Sequence, residues 1–150
     1  GKAQESGYLQ ALGAAEILLR DSIDFAATRP LEKSRWAGAV DNVGGPTLHW
    51  MLATMQQAGT VASIGNAASP KLETTVFPFI LRGVSLLGID SGYIGFPTRG
   101  TVWQRLATDL KPKKLTEITR VITLDELPAA FDEFIAGRAK GRTVVRLGGE

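Results

Sequence analysis

The stretch Trp36–Asn66, WAGAVDNVGGPTLHWMLATMQQAGTVASIGN, decides the fold. Its first part, Trp36–Val43, is a short apolar run that is nearly uncharged. Such a run predicts a strand that is buried on both faces, and Gly44 and Gly45 predict the turn that stops it. The pattern is that of a parallel sheet.

A helix is predicted next, because apolar residues recur at helical spacing along one stripe. The stripe is Leu48, Met51, Leu52 and Met55, with Thr54, Gln56 and Gln57 facing away. Gly59 is expected to close this helix, and the β-branched run Thr60–Ile64 predicts a second strand. Strand, crossover helix and strand make a βαβ unit, whose two strands should lie parallel with a right-handed crossover.

Glycine follows each of these predicted strands, in Asn42–Gly45 and in Gly65–Ala67. A third predicted strand, Val84–Ile89, is followed by Asp90-Ser91-Gly92. In open parallel sheets ligands bind beyond the carboxyl ends of the strands, where glycine lets the backbone approach a flat ligand closely. Either glycine site alone fits a simple turn equally well, but the same residues at successive strand ends favour a nucleotide crevice.

The rest of the chain alternates predicted helices and strands, which favours an α/β fold with a mainly parallel sheet. Short helices are predicted around Tyr8–Leu12, ended by Gly13, and near Pro78. Longer ones are predicted around Trp103–Leu110 and behind the capping-box pattern Thr123–Glu126. The further predicted strands are Ala15–Leu19, Ile118–Leu124 and Thr143–Leu147. Because the chain opens on a loop and a short helix, we expect that an upstream part has been removed.

Composition excludes several classes of site. The 150 residues are 44% hydrophobic and 21% charged, which is typical of one globular domain with a core. They include no cysteine and one histidine, so disulfides, thiolate nucleophiles and cysteine-bound metals are excluded and a transition-metal site is not expected. His49 lies on the predicted crossover helix, where a packing or surface role is favoured over general-base catalysis. Asp41 lies near the end of a predicted strand. Its carboxylate is as well suited to accepting hydrogen bonds from its own turn as to acid–base chemistry.

Charge and hydropathy point to neither nucleic acid nor membrane. The net charge is +2, and the basic run Lys111–Lys114 fits a solvated loop better than a nucleic-acid patch. No apolar run approaches the roughly 18 to 20 residues that span a bilayer, and no signal-peptide pattern is present. We therefore expect a cytoplasmic protein. The sequence also contains no P-loop, nucleophile elbow or G-x-G-x-x-G fingerprint.

The order of short motifs resembles the medium-chain dehydrogenase/reductase superfamily. More narrowly, it resembles the zinc-free quinone oxidoreductase branch and its acryloyl-coenzyme A reductase subgroup. The motifs are Tyr8-Leu9-x-x-Leu12-Gly13-Ala14, Arg20-Asp21, Arg29-Pro30-Leu31, Trp36-Ala37-Gly38-Ala39-Val40-Asp41-x-Val43-Gly44, Phe79-Ile80-Leu81-Arg82, Gly88-x-Asp90-Ser91, Trp103-Gln104-Arg105-Leu106 and Gly141-Arg142-Thr143. Each motif is weak alone, but their joint order is specific and covers essentially the whole chain.

The resemblance implies a partial Rossmann-type parallel sheet with flanking helices, lacking the first two strands. Residues 1–110 would be the later part of a dinucleotide-binding domain, and residues 111–150 would return toward an absent catalytic domain. In the strand order 3-2-1-4-5-6, Ala15–Leu19 then has no neighbour and Trp36–Val43 becomes an exposed edge. We therefore expect a homo-oligomer.

The resemblance also implies NADP as cofactor and assigns ten residues to it. Lys2 and Ser6 would lie near the adenosine 2′-phosphate, whose charge a lysine offsets. Arg20 would stack on adenine or reach that same phosphate. The other roles are Asn42 and Val43 at the adenosine ribose, Gly65 and Asn66 at the nicotinamide ribose, the backbone of Ile89 to Ser91 at the carboxamide, and Arg142 toward the pyrophosphate. Each of several residues also has an alternative interpretation. Lys2 and Ser6 would be frayed terminal residues, and Arg20 would be a surface charge. Arg142 would be a cation at a helix end, and Asn42 would cap its turn.

The implied activity is NADPH-dependent reduction of an activated C=C bond, as in enoyl- or acryloyl-CoA, or of a quinone by hydride transfer. No residue of this chain is assigned as a catalytic acid, and the isolated chain is expected to be inactive. The alternative is a non-catalytic α/β binding or dimerisation module, which the missing fingerprint favours for the isolated chain.

Overall fold

The computed structural model describes residues 3–148, and the chain divides into two compact units, Gly1–Ile94 and Gly95–Glu150. The helices are α1 Ser6–Ala11, α2 Gly45–Thr54, α3 Phe77–Arg82, α4 Phe96–Ala107 and α5 Leu127–Ile135, with short 3-10 helices at Ala3–Glu5 and Arg20–Ser22. The strands are β1 Trp36–Asp41, β2 Met55–Ser63, β3 Ser85–Gly88, β4 Thr119–Ile122 and β5 Arg142–Val145. The predicted functional boundary after residue 110 stays a prediction.

The first unit is built on a parallel sheet with the strand order β1-β2-β3. Gly38 pairs with Thr60 and Asp41 with Ser63, and Ser63 pairs in turn with Gly88 of β3. The α/β fold and the parallel βαβ unit predicted from the sequence are therefore confirmed.

The helix α2 ends earlier than predicted, at Thr54 and not at Gly59. The guanidinium group of Arg82 donates hydrogen bonds to the carbonyl oxygens of Ala53, at 2.9 Å, and Met55, at 3.0 Å. The last carbonyl groups of a helix lack partners within the helix, so Arg82 supplies one where α2 stops. Met55 consequently belongs to β2 and not to the helical stripe, and Thr54 is buried instead of facing away.

The core of the first unit lies between α2 and the sheet. Its buried members are Leu48, Leu52, Met55, Val61 and Val84. The expectation that β1 is buried on both faces is wrong, since Val40 is 59% exposed. Within residues 3–148, β1 pairs with β2 alone, so one of its edges also stays open.

The predicted strand Ala15–Leu19 does not form within the described chain. Leu19 has extended backbone angles, φ −75° and ψ 132°, but the segment joins neither sheet. A strand needs a neighbour to satisfy its backbone N–H and C=O groups, and none of the described strands pairs with this segment.

The second unit contains a two-stranded parallel sheet, β4-β5, together with α4 and α5. The predicted strands at Ile118–Leu124 and Thr143–Leu147 and the helix behind Thr123–Glu126 are confirmed with small shifts of their ends. The other longer helix, α4, begins at Phe96, seven residues before the predicted Trp103. Arg120 of β4 forms an ion pair with Glu133 of α5 at 2.7 Å. In the part of the chain described, no helix is long and apolar enough to cross a membrane.

Candidate functional site

The ends of β1, β2 and β3 lie at one edge of the sheet. The backbone N–H of Ile64 donates to the carbonyl oxygen of Asp41 at 2.9 Å, and that of Ile89 donates to Ser63 at 3.0 Å. Because the three strands are parallel and in this register, their carboxyl ends face the same way. We call residues 42–45, 64–69 and 89–91 the carboxyl edge. It brings together six of the residues selected from the sequence: Asn42, Val43, Gly65, Asn66, Ile89 and Ser91.

The first loop of the carboxyl edge is organised by Asp41, whose side chain is fully buried. Its carboxylate accepts hydrogen bonds from the backbone N–H of Val43, at 3.0 Å, and of Gly44, at 3.0 and 3.1 Å. Gly44 takes the left-handed φ of +72° directly before α2. The turn-capping interpretation of Asp41 is therefore confirmed.

The first and second loops of the carboxyl edge interlock. The carbonyl oxygen of Asn42 accepts a hydrogen bond from Ala67, at 3.2 Å, and that of Val43 accepts one from Ala68, at 2.9 Å. A Cβ on Gly65 would lie 2.9 Å from the Asn42 carbonyl oxygen, and one on Gly44 would overlap the Ser69 carbonyl oxygen. These glycines thus let two loops approach each other, which differs from the predicted close approach to a ligand.

A cavity of about 620 Å³ opens beside the start of α2. It is lined by Phe25, Ala26, Thr28, Gly45, Pro46, His49, Ser69, Lys71 and Glu73. His49 is half-buried, and its Nδ1 lies 2.9 Å from the hydroxyl of Thr74, so the predicted packing role fits. The hydroxyl oxygen of Thr28 is buried without a hydrogen-bond partner among the described residues.

This cavity could not be predicted from the sequence, because its walls come from three segments that share no motif. The sequence does contain two signals of one wall of the cavity: the glycines at the start of α2 and the single histidine on that helix. Neither signal indicates that the loop containing Phe25 and Thr28 lies opposite them.

Three of the selected residues belong to other segments of the chain, and a fourth lies outside the described residues. Ser6 begins α1 and donates to the carbonyl oxygen of Ala3 at 2.7 Å, and Arg20 is exposed at the start of a 3-10 helix. Arg142 begins β5 in the second unit, and Lys2 lies outside the described residues. The carboxyl edge therefore contains the ribose and carboxamide candidates, and the assignment of the phosphate candidates stays a prediction.

Comparison with known proteins identifies the family. The family described as zinc-binding dehydrogenase matches residues 12–145. The chain belongs to the zinc-binding dehydrogenase family. This agrees with the resemblance seen in the motifs.

Relatives of this zinc-binding dehydrogenase chain are named as oxidoreductases. It is 42% identical to the putative quinone oxidoreductase YhfP of Bacillus subtilis over 98% of its own length and 45% of that protein. It is 43% identical to the acrylyl-CoA reductase AcuI of Ruegeria pomeroyi, over 97% of the chain and 44% of that protein. The chain thus spans less than half the length of these relatives.

Solved structures show the same fold with nucleotides bound. Escherichia coli YhdH, crystallised with NADPH, is 43% identical and superposes with a TM-score of 0.84 over 99% of this chain and 45% of that one. Bacillus subtilis YhfP, crystallised with NAD, is 42% identical and superposes with a TM-score of 0.90 over 98% of this chain and 45% of that one.

The residues of this zinc-binding dehydrogenase chain do not fit a zinc site. The sequence holds no cysteine and one histidine, and residues 3–148 contain no group of three or more acidic, histidine or cysteine side chains that could hold a metal ion. Zinc in proteins is bound by cysteine, histidine and carboxylate ligands. No step of the chemistry below depends on a metal.

Proposed function

We propose that this chain is the cofactor-binding part of a longer, cytoplasmic, NADPH-dependent oxidoreductase. The proposed reaction is reduction of an activated C=C bond, as in enoyl- or acryloyl-CoA, or of a quinone. The observation that carries the proposal is the carboxyl edge, where the ends of three parallel strands meet. Its first two loops border an open cavity at Gly45 and Ser69. The relatives named as acrylyl-CoA reductase and quinone oxidoreductase, and the NADPH-bound relative, support it.

The residues of the carboxyl edge suit the uncharged parts of a dinucleotide. Asn42 is exposed on the first loop of the carboxyl edge, and Asn66 is exposed on the second loop. Both side-chain amides are therefore accessible to ribose hydroxyl groups. Val43 would flank the adenosine ribose, Gly65 would lie at the nicotinamide ribose, and the backbone from Ile89 to Ser91 would meet the carboxamide.

The start of α2 is not where we place the phosphates. A helix N-terminus normally attracts an anion, but here the Asp41 carboxylate already accepts the N–H groups of Val43 and Gly44. We assign the adenosine 2′-phosphate to Lys2, Ser6 and Arg20 and the pyrophosphate to Arg142, in keeping with the family resemblance.

When bound, a nicotinamide dinucleotide supplies a hydride, which the β-carbon of the activated alkene accepts while its α-carbon takes a proton. The contribution of this chain is binding and orientation. No side chain of the carboxyl edge is assigned to proton delivery, and we place the substrate-facing groups in the remainder of the longer protein.

Calorimetric titration of the 150-residue chain with NADPH and NADH tests the proposal. We expect NADPH to bind more tightly, and Arg20→Ala to remove that preference because the 2′-phosphate loses a cation. Arg99→Ala, on α4 in the second unit, removes the same charge and should leave the preference unchanged.

Absence of binding of either nucleotide at millimolar concentration would overturn the proposal. It would favour the non-catalytic binding or dimerisation module instead. A chain that binds NADPH but consumes none with acryloyl-CoA would fit the proposed division between cofactor binding and catalysis.

A further inference from the structure

Asp41 is a buried charge without a charged partner among residues 3–148. Its residue is 0% exposed, and none of the ion pairs within that range includes it. Removing a carboxylate from water is costly unless hydrogen bonds replace its hydration. The cost is offset here by the backbone N–H groups of Val43 and Gly44 and by the start of α2.

These hydrogen bonds fix the path of the chain through the first loop. Both carboxylate oxygens accept from Gly44, which directly precedes α2 and has a φ of +72°. The loop therefore leaves β1 and enters α2 along one path set by Asp41. Since Asn42 lies between Asp41 and Val43, the position of its backbone follows.

The same path determines where the second loop lies. The carbonyl oxygens of Asn42 and Val43 accept hydrogen bonds from Ala67 and Ala68, at 3.2 and 2.9 Å. Gly65 packs directly on the backbone of Asn42. A change in the first loop must consequently displace the second, because the two share these contacts.

We propose that Asp41 is a positioning residue for the dinucleotide, holding both loops of the carboxyl edge in the arrangement that binds the riboses. A second consequence is that its charge repels phosphate from the start of α2, so the uncharged parts of the ligand face these loops. This inference rests on the proposed function and goes beyond it, because it assigns a role to a side chain that the ligand does not touch.

Calorimetry with NADPH on three chains tests it: the unmodified protein, Asp41→Asn and Arg82→Met. Asp41→Asn keeps one acceptor oxygen but presents an N–H₂ group to Gly44, so the loop must shift. Arg82→Met serves as the control, because it removes hydrogen bonds to Ala53 and Met55 at the opposite end of β2. The free energy of unfolding of each variant is measured by urea denaturation, so that binding is compared at matched loss of stability.

We expect Asp41→Asn to weaken NADPH binding by about tenfold or more, as for a lost hydrogen bond to a charged group, and Arg82→Met to change it less than about twofold. Equal weakening by both variants, at equal loss of stability, would show that Asp41 acts through stability alone and would overturn the inference. If the unmodified chain binds no NADPH, the proposed function itself fails.

If Asp41→Asn does not fold, hydrogen exchange on the unmodified chain decides instead. Saturating NADPH should slow exchange of the backbone N–H groups of Val43, Gly44, Ala67 and Ala68 together, since the two loops are held as one. Slower exchange in one loop with no change in the other would contradict the coupling.

Discussion

The two compact units bury their apolar side chains to very different degrees. In the first unit Leu52, Met55 and Val61 are completely buried between α2 and a three-stranded sheet. In the second, Ile122 is buried among the described residues, while Phe134 is 75% exposed. A sheet of three strands with a packed helix can enclose a core, whereas a two-stranded sheet is marginal.

Apolar side chains of the second unit line a cavity of about 600 Å³. The lining residues are Arg120, Leu127, Ala130, Phe131, Glu133, Phe134, Arg138, Ala139, Lys140, Thr143 and Val145. The carboxyl edge therefore lies on the better-packed of the two units. Binding residues need such support, because their geometry is only as fixed as the elements that carry them.

The largest effect should come from Leu52→Ala in the core of the first unit. Removing this fully buried side chain should lower the free energy of unfolding by about 2–5 kcal/mol. Phe134→Ala in the second unit should cost less than about 1 kcal/mol, because most of that ring is already exposed. Urea denaturation followed by tryptophan fluorescence measures both, and equal losses would break the contrast between the units.

An effect smaller than that of Leu52→Ala is expected when a methyl group is added at Gly44, and Gly137 provides the matched control. Both have left-handed φ, +72° and +68°, but a Cβ on Gly44 would overlap the Ser69 carbonyl oxygen, while one on Gly137 meets nothing within 4 Å. Gly137→Ala should cost about 1–2 kcal/mol from its backbone conformation, and Gly44→Ala more. If denaturation midpoints shifted equally, loop packing at the carboxyl edge would be unimportant for stability.

Self-association should respond to the open edge of β1. We expect the chain to be oligomeric at micromolar concentration, because apolar edge strands pair with other chains. Val40→Lys should weaken association about tenfold, or about 1.4 kcal/mol, whereas Phe134→Lys should leave it unchanged. Sedimentation velocity measures the association. A monomeric unmodified chain would refute the prediction. A larger effect of Phe134→Lys than of Val40→Lys would indicate that the interface lies in the second unit.

The smallest effect concerns acid stability. Hydrogen bonds from the side chain and backbone of Arg29 lower the pKa of Glu32 from 4.5 to about 2. Because the folded-state pKa lies below the unfolded one, the stabilisation is complete above pH 4.5 and is lost as the pH falls toward about 2.

Glu32→Gln should therefore flatten the dependence of stability on pH in that interval, and Arg29→Gln should do the same. Glu126→Gln gives the counterpart in the second unit, where hydrogen bonds from the backbone and side chain of Thr123 lower the pKa of Glu126. Unfolding followed at several pH values provides the measurement. An unchanged profile in Glu32→Gln would exclude this pair as a source of acid sensitivity.

Much of the first unit could be predicted because its signals are local. The spacing of Leu48 and Leu52 indicated α2, and Pro78 indicated α3. The end of α2 could not be placed at Thr54, because the group that donates hydrogen bonds to the carbonyl oxygens there is Arg82, far along the chain. Ala15–Leu19 has a strand-like composition, but a strand depends on a neighbour that composition does not reveal.

The candidate site divides in the same way. Each strand end was recognisable from glycine and polar residues, yet their assembly into the carboxyl edge needed the parallel register of three strands. The cavity beside α2 was not predictable, since Phe25 and Lys71 come from segments without a shared motif. The assignment of individual residues to NADP stays a prediction.

By itself the sequence determined the family, the α/β class and, to within about two residues, the carboxyl ends of β1, β2 and β3, because these depend on the order and spacing of nearby residues. Tertiary structure alone decided that Asp41 is buried, that two loops interlock through Asn42 and Gly65, and that the second unit keeps its aromatic side chains exposed. Those features depend on which distant backbone groups come within hydrogen-bonding or packing distance.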